Sequence, residues 1–122
     1  MNNMARIQRL NGRIVVGLTE KVTLNGKSRE KALWAKIDTG ATKSSMDIAL
    51  AEQLKLGPVT HSKVVKSAHG SRLRPIVEAT IILADRKIST EFTLAERSHM
   101  KYKVLIGQNI LKDGFLIDPS KK

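Results

Sequence analysis

The sequence predicts a mainly β domain, a closed barrel with one or two short helices. Three observations carry this. β-forming runs recur along the whole chain, at residues 13–18, 20–24, 31–37, 63–67, 73–83, 88–94, 104–106 and 115–117. Turn signals such as Asn25-Gly26 and Ala84-Asp85 separate them. Helical spacing is confined to residues 44–54 and 108–112, and no repeat or linker divides the chain. Many short strands with so few helices bury their apolar faces by closing on themselves. A chain of 122 residues makes one domain. We expect a basic arm at 1–12 and a folded unit at 13–119.

The elements follow in order. The arm is polar and lacks the apolar stretch of a signal peptide. Residues 13–18 are β-rich around Ile14, Val15 and Val16, and Gly17 marks a bulge or bend. Residues 20–24 lead to the Asn25-Gly26 hairpin signal. In the returning strand, 31–37, Leu33, Ala35 and Ile37 face one way and Trp34 the other. In residues 44–54, Ile48, Leu50, Ala51 and Leu54 form a helical stripe. Ser44 and Asp47 are spaced as a capping box, and Gly57-Pro58 is a stop. Residues 63–67 and 73–83 are strands about a turn at Ala68-His69-Gly70-Ser71. Pro75 lacks the N–H that a ladder needs, so this hairpin should project from a sheet edge. Ile88, Thr90, Phe92 and Leu94 alternate with Ser89, Glu91 and Thr93 as a half-buried strand. A polar connection then leads to Val104-Leu105-Ile106-Gly107, a short helix at 108–112 and a last strand at 115–117.

The net charge is +11 and the isoelectric point about 10.3, which calls for an acidic partner: nucleic acid, acidic peptide or ribosomal surface. The basic residues are scattered, however. One Trp, one Tyr and two Phe leave little on which bases could stack, which argues against nucleic acid. Having no cysteine excludes disulfides and thiolate metal sites. His61, His69 and His99 are isolated, and there is no His-Glu-x-x-His helix and no phosphate-binding glycine-lysine loop. We therefore expect no metal, nucleotide or other cofactor. No apolar run approaches the ~18 residues of a membrane helix, so a cytoplasmic protein with no membrane partner is expected.

The stretch that can carry chemistry is Ile37-Asp38-Thr39-Gly40-Ala41. Asp-Thr-Gly is often an ordinary turn. Here it ends an apolar alternating strand, where a carboxylate is costly unless something satisfies or uses it. Thr39 sets a hydroxyl beside the acid, Gly40 permits a sharp turn and a close approach, and Ala41 adds little bulk. Hydrolysis of an amide by aspartates needs a second carboxylate. Asp47, Asp85, Asp113 and Asp118 lack this setting. A homodimer would supply the pair, with Asp38 facing Asp38, Thr39 bonding across the interface and residues 115–117 free to add a strand.

The order of an apolar strand, Asp38-Thr39-Gly40-Ala41, a glycine-bearing hairpin and a second strand ending in Gly107 resembles the retropepsin-like aspartic proteases. Three further segments sharpen the resemblance: Val16-Gly17-Leu18-Thr19-Glu20, Ser67-Ala68-His69-Gly70 with Arg72 and Arg74, and 94–100. They are similar to the RimB-like proteins, which also carry an ATP-dependent zinc protease label. The resemblance spans about residues 14–119 and departs at Gln108, where that family usually has arginine. It implies a catalytic role for Asp38, Thr39 and Gly40. It implies substrate binding by Ala41 and by a flap bearing His69, Gly70, Arg72 and Arg74. It also implies a hydrolase for glutamate-extended tails, as on a ribosomal protein modified by a RimK-type ligase. Arg72 and Arg74 share a strand face, where their forks suit carboxylates. They could equally be charges guarding an edge, and the hairpin a plain one. A non-catalytic basic adaptor on the same fold, binding an acidic or ribosomal protein, is the alternative.

Overall fold

The computed structural model describes residues 7–67 and 70–121. The chain runs β1 (Gln8–Leu10), β2 (Arg13–Val16), β3 (Thr19–Asn25), β4 (Glu30–Ile37), β5 (Ser44–Asp47), α1 (Ile48–Gln53), β6 (His61–Ser67), β7 (Gly70–Leu83), β8 (Arg86–Ala95), β9 (Val104–Ile106), α2 (Gln108–Leu111) and β10 (Phe115–Ile117). β3, β4, β9, β5, β8 and β7 follow one another around a barrel, and β3 pairs back onto β7 to close it. The expected architecture is therefore present. Closure explains the burial. Alternate residues such as Val22, Leu24, Ala35, Ile81, Phe92 and Ile106 point inward and are buried. Trp34, on the opposite face of β4, is 57% exposed. No helix among the described residues is long and apolar enough to cross a membrane.

Three expectations need correction. The basic arm expected at 1–12 is not separate from the folded unit throughout, because Gln8–Leu10 pairs antiparallel with β2. β10 lies parallel on the other side of β2, so these three strands form a second small sheet. The helix expected from Ser44 begins at Ile48 instead. Ser44–Asp47 is a strand held between β8 and β9, and both Ser44 and Met46 are fully buried. Two ladders outweigh a capping pattern, and the Asp47 side chain makes no cap bond to the helix. Asn25-Gly26 does not make a two-residue turn either. Asn25 pairs with Glu30 across a four-residue loop. Gly26 is required there by closeness, since a Cβ would meet the Leu54 carbonyl oxygen at 2.6 Å and that of Arg29 at 2.7 Å.

The β6–β7 hairpin does project. β7 pairs with β8 only from Ile76 onward, whereas its pairing with β6 runs from Gly70 to Ile76. Pro75 sits where β7 has left β8, so its missing N–H costs no bond there. Gly70 has a φ of 109°, as the tip of such a hairpin needs. His69 lies outside the described residues.

Candidate active site

Asp38 follows the last residue of β4, at the point where β4 and β9 run side by side. Its amide donates to the Ile106 carbonyl at 2.8 Å. Its own carbonyl accepts from the Ala41 amide at 3.2 Å, which closes the Asp-Thr-Gly-Ala turn. Its carboxylate oxygen Oδ1 accepts from the Gly40 amide at 3.1 Å. Asp38 is half-buried, while Thr39 and Gly40 are exposed. The Thr39 hydroxyl has no partner among the described residues. A Cβ on Gly40 would meet nothing nearer than Asp38 Oδ1, at 3.4 Å. The close approach expected at Gly40 is thus not made within this chain.

The turn is held from behind by Gly107 and α2. The amides of Gln108 and Asn109 donate to the carbonyls of Ala41 (2.8 Å) and Thr42 (3.1 Å). Gln108, at the arginine position of the family, donates from Nε2 to the Thr39 carbonyl at 2.7 Å. Its neutral amide therefore still braces the turn. Ser44 and Asn109 form the deepest part of this support. Asn109 Oδ1 accepts from both the amide (2.9 Å) and the hydroxyl (2.8 Å) of Ser44. Ser44 Oγ in turn accepts from the Gly107 amide at 2.9 Å, and Asn109 Nδ2 reaches the Glu91 carbonyl at 3.0 Å. Every member of this buried network is satisfied, so removing one strands several. We expect Asn109→Ala to lower stability by about 3 kcal/mol. Urea unfolding followed by circular dichroism checks this, since the exposed Trp34 is a poor fluorescence reporter; a loss under about 1 kcal/mol would contradict it.

Arg74 is half-buried and Arg72 exposed on the projecting part of β7. Sequence reasoning missed a third arginine, Arg97, just past β8. Its amide donates to Oδ1 of the buried Asp47 at 2.8 Å, and its Nε to the Tyr102 carbonyl at 3.0 Å. Burial lowers its pKa, the charges of Asp38 and then Asp47 raise it, and Arg74 lowers it again. Asp38 and Arg74 therefore each lie within electrostatic reach of Arg97. No cluster of metal-binding side chains is found among the described residues. A cavity of about 500 Å³ opens elsewhere, between Trp34, Leu50 and Lys101, and Asp38 does not line it.

A closed barrel with Asp-Thr-Gly at a strand end, a glycine-helix unit beneath it and an overhanging hairpin defines the retropepsin-like fold. The comparisons agree. An equine infectious anaemia virus (EIAV) protease, solved with the inhibitor HBY-793, superposes with a TM-score of 0.64 at 22% identity, covering 93% of this chain and 92% of that one. The simian foamy virus protease gives 0.57 at 19%, covering 77% and 91%. A Legionella pneumophila protein of unknown function (DUF785) gives 0.60 at 22%, covering 88% and 94%. The chain belongs to the RimB-like family, described as retropepsin-like aspartic endopeptidase RimB, whose sequence pattern it matches over residues 50–122. That match begins after Asp38, whose place rests on the fold. A Shewanella pealeana protein described as "Probable alpha-L-glutamate ligase" is 28% identical over 101 residues, 82% of this chain. The chain spans about a fifth of that relative's length, 21%.

Proposed function

We propose that the chain is an aspartic peptidase that works as a homodimer, one Asp38 from each chain, on acidic, glutamate-rich tails. The observation that carries this is Asp38 itself: a braced, half-buried carboxylate at a barrel strand end, in a chain of an aspartic endopeptidase family. In a two-fold dimer the two carboxyl groups share a proton, because like charges so close cannot both ionise easily. The ionised one takes a proton from a water, whose oxygen attacks the peptide carbonyl while the protonated one polarises it. The tetrahedral intermediate collapses as the leaving nitrogen takes up the proton that the carboxylate had received from water, and the C–N bond breaks.

Several features support pairing. Other carboxylates are engaged in structural bonds: Asp47 with the Arg97 amide, Asp85 with Arg9, Asp118 with Ser120, Glu20 with Lys121, Glu91 with Lys43 and Glu96 with Ser98. The space over Gly40 is open, and the Thr39 hydroxyl is exposed. Leu18, whose carbonyl accepts from the Ile37 amide at 2.9 Å, is 55% exposed beside the strand that delivers Asp38. The outer edge of β10 pairs with no other strand among the described residues.

The substrate rests on charge. A net charge of +11 draws acidic chains, and Arg97 lies within electrostatic reach of both Asp38 and Arg74. The similarity to part of a protein described as a glutamate ligase points the same way, since a hydrolase associated with such a ligase would meet its product. A RimK-type ligase and its glutamate-extended, ribosomal target are the partners we infer. At about 0.15 M salt, where long-range attraction is screened, kcat/KM for a glutamate-rich peptide should exceed that of a neutral peptide of equal length by about tenfold or more. Equal values would refute the acidic substrate.

A further inference from the structure

Arg97 is a guanidinium fixed in place but not paired. Its amide is held by Asp47 and its Nε by the Tyr102 carbonyl, so the orientation of the fork is set by the fold. Its two terminal nitrogens have no acceptor among the described residues. It makes no ion pair with a carboxylate among the described residues, whereas Arg9, Lys43 and Lys121 each do. Asp47 accepts from its amide, yet the charge of Asp38 acts on the guanidinium more strongly than that of Asp47. The guanidinium is therefore within electrostatic reach of the catalytic carboxylate. Arg74, from the projecting part of β7, reaches the same neighbourhood and likewise has no partner among the described residues. Two half-buried guanidinium ions near each other repel, and burial takes away part of their hydration. Bonds that only hold the 96–103 connection would account for the amide and Nε. They leave the open ends of the fork without a use. Such a site is completed by an anion with two oxygens in a plane.

We propose that Arg97 is a specificity residue: its terminal nitrogens bind the side-chain carboxylate of a substrate glutamate adjoining the scissile bond, with Arg74 closing over it from the hairpin. This rests on the acidic-substrate reading above and adds where that acid is read. The occupant is a carboxylate rather than a phosphate because the acidic-substrate reading supplies glutamates, whose two coplanar oxygens match a planar fork.

The test is a double-mutant cycle between enzyme and peptide. Wild type, Arg97→Gln and Arg97→Lys are each assayed on a glutamate-rich peptide and on variants with one Glu→Gln at each position around the cleaved bond. In the wild type, one such position should lose about 10- to 100-fold in kcat/KM. Arg97→Gln should lose a similar factor on the parent peptide and then no longer distinguish Glu from Gln at that position alone. Arg97→Lys should keep only part of the discrimination, since an ammonium cannot present a fork. Each ratio is taken within one variant, so a partly unfolded preparation does not distort it. If Arg97→Gln and Arg97→Lys discriminate at every position as the wild type does, or lose activity equally on all peptides, Arg97 does not read the substrate. If the wild type itself shows no preference for Glu at any position, the acidic-substrate reading fails, and this inference with it.

Discussion

Asp38→Asn should lower kcat for peptide hydrolysis by about a thousandfold or more and leave the fold intact. The variant removes both carboxyl groups from a paired site, and with them the base that takes the proton of water. Structurally the change is mild. The Asp38 backbone bonds to Ile106 and Ala41 do not involve the side chain, and an asparagine oxygen can still accept from the Gly40 amide. The melting temperature should therefore move by no more than a few degrees. Hydrolysis at near wild-type rate would remove Asp38 from the mechanism. An adaptor on the same fold predicts the opposite pattern, with binding of its acidic partner untouched by this substitution.

Gly107→Ala should be the most damaging small change for folding. Its φ of −102° is open to any residue, so the constraint is space rather than backbone conformation. A Cβ there would lie 2.6 Å from the Lys43 carbonyl oxygen, 2.7 Å from its carbon and 2.8 Å from the Ala41 oxygen. These are main-chain atoms of the segment that follows Asp38, and they cannot swing aside as a side chain can. Relieving the contact pulls residues 41–43 from α2 and breaks the Gln108 bond to Ala41. We expect a loss of about 3 kcal/mol or more, with activity falling further than the unfolded fraction explains. Gly40→Ala is the control. Its Cβ meets only Asp38 Oδ1, at 3.4 Å, so stability should change by less than about 1 kcal/mol. Equal effects at the two glycines would show that packing behind the turn does not position it.

What was legible in the sequence was what alternation and turn chemistry encode. Leu33, Ala35 and Ile37 facing inward on the strand to Asp38, the projecting Pro75 hairpin and the strand-Gly107-helix unit all follow from local pattern. What was not legible depended on distant segments. Ser44 reads as a helix cap until β8 and β9 take both its edges. Gly26 reads as a tight turn until Leu54 is packed on it. Gln8–Leu10 reads as part of a basic arm until β2 offers an edge. Arg97 carried no signal as a site residue, since what fixes it is an aspartate fifty residues earlier and a carbonyl five residues later. Asn109 likewise looks like one more polar helix residue until Ser44 is brought to it.

The central claim, that two chains share one catalytic centre, is tested most directly by mixing. Wild-type chains at fixed concentration are co-refolded with increasing Asp38→Asn chains, and peptide hydrolysis is measured for each mixture. If the site needs an Asp38 from each chain, random pairing leaves about half the activity at equal amounts and about a tenth at ninefold excess. Activity that stays constant at every ratio would show that one chain suffices, and would contradict the account.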